Sequence, residues 1–156
     1  MDLKQLYQDI ILEHGKSPRN LGKCAGYSHD AKGYNPLCGD KVHVYLKLND
    51  IKKFESLTFE GVGCAISLAS ASIMTELVKG KSFEEAKEIM NAFLNMIKNT
   101  SEIQSNYLDD DQKTKLMSLS GVKQFPMRVK CATLSWHTLN SAMERKKEEV
   151  NTEMIS

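Results

Sequence analysis

From Cys64 to Val78 the chain reads CAISLASASIMTELV, apolar or small on every side until Glu76, with Gly80 placed to end the run. A helix apolar all round needs neighbours all round, so this stretch predicts a buried central helix that the rest of the chain must wrap. At 156 residues there is enough chain for one such core and no need of disulfide staples. The 41% hydrophobic and 26% charged content excludes disordered, collagenous and low-complexity classes.

The flanking patterns supply the wrapping. Leu3, Leu6, Tyr7, Ile10, Ile11 and His14 keep helical spacing, with Asp2 to cap the start and Gly15 to end it. Residues 15–40 are turn-rich, with weak extended character over 26–34. Val42, Val44, Leu46 and Leu48 alternate with His43, Tyr45 and Lys47, which predicts a half-buried strand. After Asn49-Asp50 a second strand runs over 54–60 with Leu57 and Phe59 inward, forming an antiparallel hairpin. Ser82 and Glu85 form a capping box for a helix striped with Ala86, Ile89, Met90, Phe93, Leu94 and Ile97. Residues 99–120 read as an exposed polar excursion in which Asp109–Asp111 is a solvated run and a short helix lies near 115–119. Pro126 opens a last helix striped with Val129, Ala132, Trp136, Leu139 and Met143. The expectation is a single α+β domain over 1–150, a small antiparallel sheet packed on several helices, with 151–156 as a frayed tail.

Lys+Arg 21 against Asp+Glu 20 leaves a net charge of +1, which gives no electrostatic reason to expect nucleic acid or an anionic membrane as partner. No apolar run is long enough to span a bilayer, and the opening MDLKQLYQDIILEH lacks the basic start and apolar run of a secretory signal. The expected location is cytoplasmic, where four cysteines read as metal ligands or reactive thiols before disulfides.

Three of them sit where elements begin or end. Cys38 lies in the turn NPLCGD, Cys64 opens the buried helix, and Cys131 lies in the first turns of the last helix, where the helix dipole is expected to favour thiolate. Asp40, two residues from Cys38, projects to the same side and can act as a fourth, harder ligand. Three thiolates, a carboxylate and a divalent ion sum to a charge of about −2. Arg128, one turn from Cys131, and the flanking Lys41 and Lys130 are candidate charge partners. The spacing matches no generic finger, so a metal site and three structural core cysteines both remain open at this point.

NPLCGD at 35–40, GVGCAISLASASIM at 61–74 and FPMRVKCATLSW at 125–136, with the opening LYQDIILEHGKSPRNLG, strongly resemble the SufU family, which shares the IscU-type fold. Lys130, where IscU-type scaffolds carry histidine, and the polar excursion both resemble SufU. The resemblance implies zinc on Cys38, Asp40, Cys64 and Cys131, and a SufS-type cysteine desulfurase as partner. Downstream iron–sulfur assembly proteins would follow as further partners. It further implies that Cys38, on its Gly/Pro loop, accepts persulfide sulfur once a desulfurase histidine takes its place on the metal. Arg128 would then stabilise Asp40 or the displaced thiolate. The alternative is a scaffold that builds a [2Fe–2S] cluster on the same four residues, since thiolates serve both metals; a metal-stabilised adaptor without chemistry is a third reading.

Other residues have plainer readings. Cys24 matches none of these blocks and reads as an incidental thiol. His14 suits the C-terminal dipole of the first helix, His29 and His43 read as solvated, and His137 turns away from Cys131. Trp136 reads as core, and Ser67, Ser70 and Ser72, with no base beside them, read as close helix packing.

Overall fold

Alternation over 42–48 becomes the centre of a sheet. In the computed structural model, which describes residues 2–99 and 102–155, strand β2 (Asp40–Leu48) pairs antiparallel with β1 (His29–Asn35) and with β3 (Phe54–Val62). A two-residue strand β4 (Val150–Asn151) adds parallel to β1, giving the order β3-β2-β1-β4. Met1, Thr100 and Ser101 of the polar stretch, and Ser156 of the tail, lie outside the described residues.

One sheet face carries Ala31, Val42, Val44, Leu46, Leu57 and Phe59, all buried under helices α2 (Ala65–Val78) and α5 (Pro126–Met143). Helix α1 (Leu3–Lys16) packs along α2, and α3 (Phe83–Lys98) packs against α5, where Phe93 stacks on Trp136 at 4.9 Å. Asp2 caps α1 through the Gln5 N–H, and the Ser82–Glu85 capping box closes as the sequence predicts. Helix α1 runs one residue past Gly15, which stands in its last turn.

The central helix is surrounded as its composition demands. Its serines serve the packing by bonding across helices: Ser70 Oγ donates to the Ala132 carbonyl and accepts the Trp136 indole N–H at 3.1 Å. Ser72 Oγ accepts the Arg19 N–H at 2.8 Å and lies 2.7 Å from His14 Nδ1. Helix α5 is also buried on nearly all sides, because the sheet, α2 and α3 each take a face.

Five expectations change. Tyr45, on the face of β2 expected to be polar, is buried at 3% exposure because Tyr27 folds over it and its hydroxyl donates to Glu60. His43 is half-buried rather than solvated, stacked on Tyr45 and bonded to Asp30. His29 is buried within β1, its ring edge-on to Phe83 at 5.4 Å. Asp109 is not part of a solvated loop but the cap of α4 (Asp110–Ser118), closing a capping box with Gln112 before a 3-10 turn over Leu119–Gln124. The tail expected to fray instead forms β4 and a 3-10 turn (Thr152–Met154), with Thr152 buried.

Candidate metal centre

Four segments meet at one end of the sheet. Strand β1 ends at Asn35, and residues 36–39 turn the chain back into β2, closed by the Gly39 N–H on the Asn35 carbonyl at 2.9 Å. Gly39 takes φ +71°, which glycine adopts without the Cβ penalty, so Cys38 stands at the tip of a tight turn. Asp40 follows as the first residue of β2 and is fully buried. Beside it the end of β3 passes so closely that a Cβ on Gly63 would strike the Asp40 carboxylate. Cys64 then caps α2, and Cys131 lies buried in the second turn of α5.

Ligand atoms of Cys38, Asp40 and Cys131 lie within 4.8 Å of one another. The Cys131 thiol donates to Cys38 Sγ at 3.1 Å. Cys64 adjoins this trio: its backbone N–H donates to Asp40 Oδ1 at 2.9 Å. Its thiol is held down to about 6 by the neighbouring Cys131 thiol, helped by the Ser67 and Ile66 N–H groups of the helix start. Cys131 moves the opposite way. Its contact with Cys64, its burial, and the neighbouring Cys38 and Asp40 push its thiol up.

Charge compensation is narrower than expected. Arg128 Nη1 donates to Cys38 Sγ at 3.7 Å, and its positive form is favoured by Cys131 and by the neighbouring cysteine charges. Lys130 turns outward to Glu153 at 2.9 Å, and Lys41 lies over the Tyr34 ring on the far face of the sheet. No lysine, arginine or histidine makes a salt bridge with Asp40 among the described residues. A fully buried carboxylate beside thiols fits a thiophilic divalent ion: Cys38, Asp40 and Cys131 are grouped to hold it, Cys64 at the α2 cap stands outside that 4.8 Å group and would complete the set, and the ion would supply the missing positive charge.

Sequence reasoning missed Asn35 and Tyr7. Asn35 is fully buried, and its Nδ2 donates to Asp40 Oδ2 at 3.0 Å and to Cys131 Sγ at 3.4 Å. Its place directly before the Pro36 turn was the only local signal. Tyr7 lines a groove with Ile11, Cys64, Phe125 and Arg128, and its hydroxyl is pushed up by burial and by Cys64. Cys24, His14, His43 and His137 are not part of this group of ligand atoms. Phe125 lines the Tyr7 groove beside Cys64 and Arg128, and Leu37 and Met127, the neighbours of Cys38 and Arg128 in the chain, are exposed.

Residues 6–132 match the model of the NifU-like N terminal domain. The chain is 40% identical over 145 residues to the zinc-dependent sulfurtransferase SufU of Bacillus subtilis, covering 92% of this chain and 93% of that one. It is 36% identical to the iron–sulfur cluster assembly scaffold protein IscU of Streptococcus pyogenes, over 92% and 86% of the two chains. The crystal structure of SufU from Fervidobacterium islandicum superposes with a TM-score of 0.78 at 36% identity, covering 89% of this chain and 97% of that one. A NifU-like protein of Brucella abortus, at 22% identity and TM-score 0.78, shares the fold. With a matching domain model over most of its length and relatives of this identity, the chain belongs to the NifU-like N-terminal domain family, among proteins of SufU and IscU type.

Proposed function

We propose that this protein serves iron–sulfur cluster assembly in the SufU manner, taking sulfur from the persulfide of a cysteine desulfurase on Cys38, with zinc held by Cys38, Asp40, Cys64 and Cys131. The observation that carries this reading is the asymmetry of the three thiols. Cys64 and Cys131 are anchored on helices, whereas Cys38 sits on a turn tip within reach of the one guanidinium at the site. A sulfur acceptor must move and be approached by another protein, and a loop cysteine can do both.

Zinc, when bound, keeps its thiolates deprotonated at neutral pH and damps their nucleophilicity. In the transfer, the Cys38 thiolate attacks the terminal sulfur of the desulfurase persulfide. A new S–S bond forms on Cys38, the old S–S bond breaks, and the desulfurase cysteine leaves as thiolate, with no net oxidation. Arg128 stabilises negative charge on Cys38 before attack and on the persulfide after it. The exposed Leu37, Phe125 and Met127, beside Cys38 and Arg128 in the chain, support docking of a partner at this end of the molecule.

The IscU relatives support a second reading, a scaffold on which a [2Fe–2S] cluster, as cargo, takes the same residues. Desulfurase turnover with zinc-loaded, iron-free protein separates the two. Strong stimulation that vanishes in Cys38→Ser is the expected result. Absence of stimulation by folded, zinc-loaded protein with its cognate desulfurase overturns the transfer reading and favours the scaffold.

A further inference from the structure

The strap over 150–154 reaches the centre from outside it. Val150 and Asn151 pair in parallel with Gly33 and Tyr34, a register that brings Thr152 beside Asn35. Thr152, 2% exposed, donates through Oγ1 to Asn35 Oδ1 at 2.9 Å. Asp40 fixes which way the amide faces: a carboxylate only accepts, so Nδ2 points inward with its two protons on Asp40 Oδ2 and Cys131 Sγ, and the Thr152 hydroxyl, able to donate or accept, meets the outward Oδ1 as donor. The reverse orientation would aim a carbonyl oxygen at a buried carboxylate. Asp40 Oδ1 is taken by the Cys64 N–H, so the carboxylate is held at both oxygens. Outside the network, Asn151 caps the turn through the Glu153 N–H, and Glu153 pairs with Lys130, the residue preceding Cys131.

We infer that Thr152 is a positioning residue for the metal ligands: the 150–154 strap anchors the Asn35 amide, which in turn holds Asp40 and Cys131 at a fixed separation. The inference rests on the reading of Asp40 and Cys131 as metal ligands. A single NH₂ group donating to both atoms ties their positions together and orients their lone pairs. The Asn35 amide donates to Asp40 Oδ2, and the buried Thr152 hydroxyl anchors that amide from its other side.

The test is binding of Zn(II), by competition with a chromogenic chelator, and of Co(II), by its thiolate charge-transfer and ligand-field bands. Wild type, Thr152→Val, Thr152→Ser and Thr152→Ala are compared, with thermal melting of the metal-free proteins alongside. The expected result is affinity in Thr152→Val and Thr152→Ala lower by about tenfold or more with displaced ligand-field bands, and recovery in Thr152→Ser, which keeps the hydroxyl. Wild-type affinity and an unchanged cobalt spectrum in Thr152→Val overturn the inference, while binding by wild type leaves the proposed metal site standing. If Thr152→Val does not fold, the Ser and Ala variants decide it: equal affinities for these two overturn the inference, and a gap between them supports it. Failure of folded wild type to bind either metal overturns the site reading itself, and the inference with it.

Discussion

Arg128 Nη1 lies 3.7 Å from Cys38 Sγ although 90 residues separate them in the chain. The contact exists because Pro126 starts α5 at the level of the turn that carries Cys38, so the first turn of the helix delivers a cation to the loop thiol. Arg128 is exposed and donates to Cys38, while Asp40 takes its hydrogen bonds from Asn35 and Cys64, so Arg128 is disposed to act on Cys38 rather than on Asp40. Arg128→Ala is expected to keep zinc stoichiometry and melting temperature while lowering desulfurase stimulation about tenfold, the lower end for losing a hydrogen bond to a charged group. Zinc content and turnover measured on one preparation check this; loss of both together would make Arg128 a structural residue instead.

The 3.1 Å between the Cys38 and Cys131 sulfurs makes these thiols the first to oxidise once metal is removed. Chelated protein treated with diamide should lose two hydrogens as a Cys38–Cys131 disulfide, the diamide being reduced to the hydrazine, while zinc-loaded protein resists. Cys24, buried and pointed at the Ala25 carbonyl, serves as internal control and should remain a thiol. Peptide mapping reads the result, and a first disulfide that includes Cys24 would contradict the geometry.

How much of this was legible beforehand depends on how local the cause is. The buried α2 was readable because its own composition leaves no face for solvent, and β2–β3 because alternation and turn lie within twenty residues. The caps at Asp2 and Ser82 are three-residue signals and were equally plain. Asp109 carries the same signal with Gln112, but the acidic run around it masks the cap as a solvated stretch. The burial of Tyr45 depends on Tyr27 folding across it, and the strap depends on a two-residue pairing, neither of which leaves a pattern in the chain. The chemistry of the centre divides in the same way. Cysteines beside turns and helix starts announce themselves, whereas Asn35 finds Cys131 and Thr152 at separations of 96 and 117 residues.

Ser70 sits at 0% exposure with both sides of its hydroxyl engaged, donating to Ala132 and accepting from Trp136. Ser70→Ala leaves a buried carbonyl and a buried indole N–H without that partner, at a cost of about 2 kcal/mol or more. For a chain of this length that corresponds to a fall in melting temperature of roughly 4–8 °C. Calorimetry on metal-free protein checks it. Since Ala132 adjoins Cys131, the loosened α2–α5 contact should also broaden the cobalt bands, and a variant with wild-type melting would show that packing alone holds these helices.

His14 lies at 1% exposure between Ser72 Oγ and Glu76, with Arg19 and Lys115 nearby. Burial lowers its basicity, the two cations lower it further, and Glu76 opposes them only in part. The folded state therefore binds the imidazole proton less readily than the unfolded chain, whose histidine titrates at about 6.5. Its contribution to stability is complete above that value and is lost as the pH falls toward the lower folded value, with a slope of up to about 1.4 kcal/mol per pH unit. His29 and His137 are shifted the same way by burial, so the whole protein should weaken as the pH falls below about 6.5, before the carboxylates titrate. Urea midpoints of metal-free wild type and His14→Gln across that window separate the contributions. The variant should be less stable at pH 7.5 yet show a shallower decline on acidification, because one of the three shifted groups is gone. A decline as steep as that of wild type would mean that protonated His14 is accommodated beside Glu76, and that acid acts on this fold through other groups.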